Sequence, residues 1–206
     1  MAKKIIIFGT GDLGELAKFY LKKDSNYDPI AYCVDKEYIK EDKFKKLPVI
    51  AFEDIEREFP PEKYRFIAPL YDNYFREKKV NEILSKKYKL ISYVSSKATI
   101  FSKIGKNCFI MENNTIQPYV NFGNNIILWS GNHIGHHSTV KDNVFISSHV
   151  VISGHCTINS FCWIGVNATI KDHITLNKGT FVAMSCTITK DTEPNSKYKG
   201  LPGVKC

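Results

Sequence analysis

All six histidines of this 206-residue chain fall between positions 133 and 173, and His136 has the most suggestive surroundings. It lies in His133-Ile134-Gly135-His136-His137-Ser138, a polar, glycine-flanked stretch between aliphatic residues. An imidazole titrates near neutral pH, so it can take the proton from a nucleophile as that nucleophile attacks. We therefore read His136 as a candidate general base. His133, His137 and His155 stand open between a chemical role and a surface one, and His149 and His173 read as solvated side chains. A second chemical signal lies near the start, in Gly9-Thr10-Gly11-Asp12-Leu13-Gly14. Glycines at this spacing, between a strand and a helix, let phosphate oxygens approach the helix N-terminus. Asp35 follows 21 residues after Gly14, where a nucleotide-binding βαβ unit places a carboxylate near the sugar or base. The alternative is that these glycines only make a tight turn.

Both signals need elements to hold them in place. For the histidines that element is a repeat. Every sixth residue from 104 onward is large and apolar: Ile104, Ile110, Ile116, Phe122, Leu128, Ile134, Val140, Ile146, Ile152, Ile158, Ile164, Ile170, Leu176, Val182 and Ile188. Such a run in a chain that is 43% hydrophobic marks a physical period, which by itself implies a solenoid. Four residues after each aliphatic stands a mostly smaller residue, among them Asn114, Asn132, Ser138, Ala168 and Thr180. Cys108, Cys156, Cys162 and Cys186 share that position, so they read as packed thiols and not as nucleophiles.

The glycine turn sits in an α/β pattern. Lys4–Phe8 reads as a strand, Glu15–Lys23 as a helix with Leu13, Leu16, Ala17, Tyr20 and Leu21 at helical spacing, and Pro29–Val34 as a second strand. A short helix near Phe52–Phe59, a strand Arg65–Pro69, a helix Asn73–Lys86 and a strand Tyr88–Val94 follow. This amounts to about one mononucleotide-binding half, too little for a dinucleotide fold. The chain is thus expected to have two domains, residues 1–94 and 95–206.

A net charge of +8 suits anionic partners, but the lysines are scattered and no nucleic-acid motif is present, so phosphorylated small molecules are the expected partners. No apolar run approaches a membrane span. Met1-Ala2-Lys3-Lys4 leads into only a short apolar run, so the expectation is a cytoplasmic protein without a signal peptide or membrane insertion.

A large aliphatic every six residues, with a small residue four further on, resembles the hexapeptide repeat of left-handed parallel β-helices, in which three hexads make an 18-residue coil. With the preceding α/β unit, the chain looks like the bacterial sugar acyltransferase family of sialic-acid O-acetyltransferases, UDP-4-amino-sugar N-acetyltransferases and GDP-perosamine N-acetyltransferase. The residues carrying the likeness are Gly9 to Gly14, Asp35, Asn73-x-x-Arg76, Ile134-Gly135-His136, Val151-Ile152-Ser153-Gly154, and Thr189-Lys190-Asp191 to Gly200-Leu201-Pro202.

The resemblance implies a Rossmann-like domain joined to a left-handed β-helix, working as a homotrimer with acetyl-CoA between neighbouring prisms and no metal. It makes His136 the base and Gly154 the backbone N–H that holds the acetyl carbonyl. Since 154 minus 136 is 18, one coil, the two positions stack on one edge; the same count stacks His137, His155 and His173. His137 stands where the family has the base's acidic partner, Phe145 where it often has a histidine near the thioester, and Trp129 where it has a small polar residue. With Gly154, His155, Gly200 and Pro202, Phe145 and Trp129 form the expected acetyl-CoA contacts. Gly9, Gly11, Asp12, Gly14, Asp35 and Arg76 form the expected contacts to a nucleotide-linked amino sugar, the expected acceptor for N-transfer. Alternatives are O-transfer to a sialic acid, a γ-type carbonic anhydrase with zinc on histidines between subunits, and a non-catalytic nucleotide-sensing scaffold.

Overall fold

The computed structural model describes residues 3–201 and 203–205. The chain divides into two compact units at the Tyr93–Val94 junction.

In the first unit, β1 (Lys3–Phe8) carries four consecutive buried residues, Ile5 to Phe8, as befits a central parallel strand covered on both faces. Gly9, at φ +107°, turns the chain out of β1. Helix α1 (Asp12–Lys23) then buries Leu13, Ala17 and Leu21 on one stripe, with Asp12 and Glu15 in its first turn and Lys22 and Lys23 in its last, charges that complement the helix dipole. Strand β2 (Tyr27–Val34) returns parallel to β1. Next come β3 (Lys43–Phe44) and β4 (Leu47–Ala51), an antiparallel pair joined by Lys45 and Lys46, both at positive φ as a two-residue hairpin turn requires. After a short α2 (Ile55–Glu58), β5 (Arg65–Ile67) pairs parallel with β1. Helix α3 (Asn73–Ser85) starts at Asp72, whose carboxylate accepts the Phe75 N–H at 2.7 Å, and β6 (Lys89–Leu90) pairs parallel with β5.

The sheet order is β3-β4-β2-β1-β5-β6. Of its five parallel strands, β1, β2, β5 and β6 fall on strands expected from the sequence pattern, with α3 on the expected helix, and β4 is added on one side. The strand expected over Tyr88–Val94 is instead two short ones, Lys89–Leu90 and Tyr93–Val94. The order reverses between β1 and β5. The glycine turn and the loop after β5 therefore meet at the topological switch point, where open α/β sheets bind ligands.

The second unit is the solenoid. Two-residue strands, each ending on an aliphatic of the six-residue series, stack in parallel with 18-residue register, as in Ile116, Ile134, Ile152, Ile170 and Ile188. Three sheets result, and the chain winds as a left-handed β-helix. The aliphatics from Ile110 to Ile188 are buried, as are all the residues four positions after them, Cys108 to Cys186. Burial pushes the Cys162 thiol up to about 12 and raises that of Cys156, which keeps both protonated.

The corners follow an equally strict rule. The residue three after each member of the series from Ile104 to Val182, fourteen in all from Asn107 to Ser185, has φ between +52° and +79°. Asparagine, histidine and glycine tolerate this left-handed region best, and four of the six histidines (His137, His149, His155 and His173) are corner residues. The repeat also runs past its expected limits through shortened coils of 16 residues, pairing Ile100 with Ile116 and Tyr198 with Val182. Lys197–Lys199 then pairs antiparallel with Val204–Lys205.

Because Ile146 is fully buried between Leu128 and Ile164, Ile146→Ala should cost about 2–5 kcal/mol in a denaturant titration. Val151→Ala, on the outer face of a neighbouring sheet, should stay within about 0.5 kcal/mol of the parent. Equal effects would contradict this assignment of interior and exterior.

Candidate active site

His136 precedes a corner residue and is exposed. Two glycines shape its surroundings. At Gly135 a Cβ would fall 2.5 Å from the Gly154 nitrogen, so the stacked coil leaves no room for a side chain. At Gly154 a Cβ would fall 2.8 Å from the His136 ring, so that ring lies against the Gly154 backbone. The Gly154 carbonyl accepts the His173 N–H at 3.1 Å. Its own N–H meets no acceptor among the described residues, although the equivalent N–H one coil earlier, that of His136, donates to Gln117 Oε1 at 2.9 Å. An exposed imidazole thus lies against a residue whose backbone N–H donor is unused.

On its other side, His136 Nδ1 is 3.0 Å from His137 Nδ1. Two ring nitrogens at this distance share one proton, so one ring donates and the other accepts. His137 belongs to a corner ladder: its ring lies 4.7 Å from Tyr119 and 4.9 Å from His155, and His155 lies 4.7 Å from His173. The His155 imidazole is held below its usual pKa, first by desolvation and then by the neighbouring imidazoles of His173, His137 and His136.

The other expected donor contacts lie elsewhere on the prism. Phe145, itself buried, heads a ring stack with Trp163 and the exposed Phe181, with centroids 5.3 and 4.7 Å apart, and Trp129 follows the strand of the same sheet one coil earlier. That sheet is opposite the His136 corner, so one chain does not bring Trp129 or Phe145 to His136. Gly200 is a turn residue at φ +92° whose carbonyl accepts the Thr187 N–H at 3.2 Å, and Pro202 lies outside the described residues. His149 stands on a different corner, its ring against Gly131. A groove of about 620 Å³ crosses the next sheet face, lined among others by Lys103, Gly123, Thr139, Lys141 and Asp142, and His136 is not part of its lining.

In the first unit the glycines separate by cause. Gly9 has a left-handed φ, and a Cβ on Gly14 would fall 2.2 Å from the Gly9 carbonyl oxygen, so both serve the fold. Gly11 does not. Its φ of −88° and ψ of −173° suit any residue, and a Cβ there would touch nothing within 4 Å. Asp12 opens α1. Asp35, at the end of β2, is paired with Lys79 at 2.8 Å, and Lys79 also holds Glu82 at 2.7 Å and lies over the Phe8 and Phe52 rings.

Arg76 corrects the sequence reading. It is fully buried, donating to the Leu70 and Tyr71 carbonyls and to Asn73 Oδ1, so it fastens the loop after β5 and does not reach a ligand. Composition also gave no sign of a cavity of about 520 Å³ lined by Thr10 of the glycine turn, Tyr38, Lys40, Glu41, Lys43, Phe44, Lys45 and Val49, in which Lys45 is paired with Glu15 at 2.9 Å. The β3–β4 hairpin supplies Lys43 and Lys45, and the segment before it supplies Lys40 and Glu41.

No protein-family model matches the chain, and neither does any curated protein sequence. Several solved structures do. A His-to-Asn variant of perosamine N-acetyltransferase from Caulobacter crescentus, in complex with CoA and GDP-perosamine, has a TM-score of 0.90 at 15% identity, covering 98% of this chain and 96% of that one. WeeI from Acinetobacter baumannii AYE has a TM-score of 0.85 at 18% identity, covering 98% and 99%. The acetyltransferase domain of PglB from Neisseria gonorrhoeae FA1090 has a TM-score of 0.68 at 18% identity, covering 99% and 100%. At these identities the common property is the fold: along nearly its whole length the chain shares with these structures a Rossmann-like unit followed by a left-handed β-helix of hexapeptide repeats.

Proposed function

We propose that the protein is an acetyl-CoA-dependent N-acetyltransferase acting on a nucleotide-linked amino sugar, with direct transfer and His136 as general base. The observation that carries this reading is the His136 imidazole lying against Gly154, whose N–H meets no acceptor among the described residues. Thioester aminolysis needs a proton acceptor for the attacking amine and a donor for the tetrahedral oxyanion. On this reading the sugar nitrogen attacks the thioester carbonyl, His136 Nε2 takes the amine proton, and the Gly154 N–H holds the oxyanion. Collapse forms the amide and releases the CoA thiolate, which takes up the proton. His137 Nδ1 accepts from His136 Nδ1–H and so fixes the tautomer that leaves Nε2 free, a part a carboxylate plays in other histidine bases. That a structure of similar fold contains CoA and GDP-perosamine supports both substrate classes.

The nucleotide is held by the first unit, at the glycine turn, with the lysines of the neighbouring cavity facing its phosphates. O-transfer to a free sugar would leave that cavity and Gly11 without a role, so titration with UDP, dTDP and GDP separates the two readings. Protection of the first unit by one nucleotide supports N-transfer to its sugar, and protection by none favours the O-transfer reading.

The donor site needs a second chain. A neighbouring prism could bring the half-buried Trp129 near His136, whereas Phe145 is buried within its own chain; this suits a homotrimer with acetyl-CoA between subunits. Light scattering should then give about three times 23.5 kDa. Full activity in a monomer at micromolar concentration would overturn the shared site.

A further inference from the structure

We propose that His136, His137 and His155 form a three-imidazole binding site for one zinc-like divalent cation, and that the cation and the catalytic proton compete for His136. A ligand atom from each of these residues lies within 4.8 Å of the other two, and all three side chains are exposed. Tetrahedral zinc with Zn–N bonds of about 2.0–2.1 Å holds its nitrogens roughly 3.4 Å apart. The His136 and His137 Nδ1 atoms, 3.0 Å apart, are already close to that spacing. The third ligand closes the remaining gap by rotating an exposed ring.

The backbone beneath is firmly held. His137 and His155 are corner residues of successive coils, and the His155 N–H donates to the His136 carbonyl at 2.9 Å, tying the coils together at this point. A cation would therefore bridge positions the fold has already fixed, at little ordering cost. The donor set selects the metal class. Three imidazoles without a carboxylate suit zinc and its borderline neighbours, whereas magnesium and calcium require oxygen ligands. Three protein ligands also leave one position open to water.

Occupation would engage a ring nitrogen of His136, so the bound form could not use that imidazole as the proposed base. This inhibitory consequence rests on the acetyltransferase reading, but the binding site does not.

The test uses full-length protein with any affinity tag removed and bound metal stripped by chelation, titrated with zinc against a chromophoric chelator. One zinc per chain is expected. His137→Asn and His155→Asn, which suit the left-handed corner backbone, should each weaken binding by roughly tenfold or more. His149→Asn, on another corner, should leave it unchanged, and magnesium should not displace the zinc. If the wild type binds zinc no more tightly than the His137→Asn/His155→Asn double variant, or if His149→Asn abolishes binding, the site is refuted. Zinc should also inhibit acetyl transfer, with activity restored by chelation. Histidine-dependent zinc binding in a protein that transfers no acetyl group when metal-free would uphold the site and refute the proposed function, so the two failures are distinguishable.

Discussion

His136→Ala should lower kcat for acetyl transfer by about 10² to 10⁴, the usual scale for losing a positioned general base, with little change in acetyl-CoA affinity. The substitution is conformationally clean. His136 is exposed and, unlike His137 and His155, is not a left-handed corner residue; the backbone N–H that donates to Gln117 Oε1 survives in alanine. Any loss of rate therefore reports on the imidazole and not on the coil. His137→Asn should cost less, because on this reading His137 only orients the base through the 3.0 Å contact between the Nδ1 atoms. Steady-state kinetics of the metal-free protein would decide. A His136→Ala rate within about threefold of wild type, together with loss of turnover in His155→Asn, would mean that the base has been misassigned along the corner ladder.

The solenoid was legible because a buried aliphatic every six residues leaves a mark that no surface substitution can erase. The stacking of His136 on Gly154 follows from the same count. What the period could not show was the corner rule: the left-handed position follows the aliphatic by three, and it can be read only once the aliphatic is known to end a strand. That rule gives His137, His149, His155 and His173 a structural reason to be where they are, independent of any chemistry. It leaves His133, on a strand, and His136 without such a reason, and of these two only His136 lies against the Gly154 backbone.

In the first unit β4 was missed because Leu47-Pro48-Val49-Ile50 is short, contains proline and follows a lysine-rich stretch. The lysine-lined cavity went with it, since the β3–β4 hairpin supplies Lys43 and Lys45 to its lining. Arg76 was misjudged for a different reason. Its role in binding the nucleotide-linked sugar came from the family resemblance of Asn73-x-x-Arg76, and only its burial reveals that its guanidinium is taken up by the Leu70 and Tyr71 carbonyls.

Gly11→Val should weaken binding of the nucleotide-linked sugar by roughly a hundredfold or more while leaving acetyl-CoA affinity nearly unchanged. The size follows from the loss of two hydrogen bonds to charged phosphate, at about 1.5–3 kcal/mol each. The structure makes this the informative glycine. Gly14→Ala would drive a methyl group into the Gly9 carbonyl oxygen, and any residue but glycine at position 9 would strain the left-handed turn, so weak binding in either variant could come from damage to the fold. At Gly11 the backbone is extended and the space around a new Cβ is empty, so valine fits and costs only a modest cap penalty at the start of α1. That empty space adjoins Thr10 and the first turn of the helix, where phosphate oxygens would meet free N–H groups. Calorimetric titration of UDP, dTDP and GDP into wild type and variant, with thermal melts to confirm equal stability, reads the effect directly. Unchanged nucleotide affinity would reduce the glycine turn to a structural feature, and loss of acetyl-CoA binding instead would place the donor in the first unit.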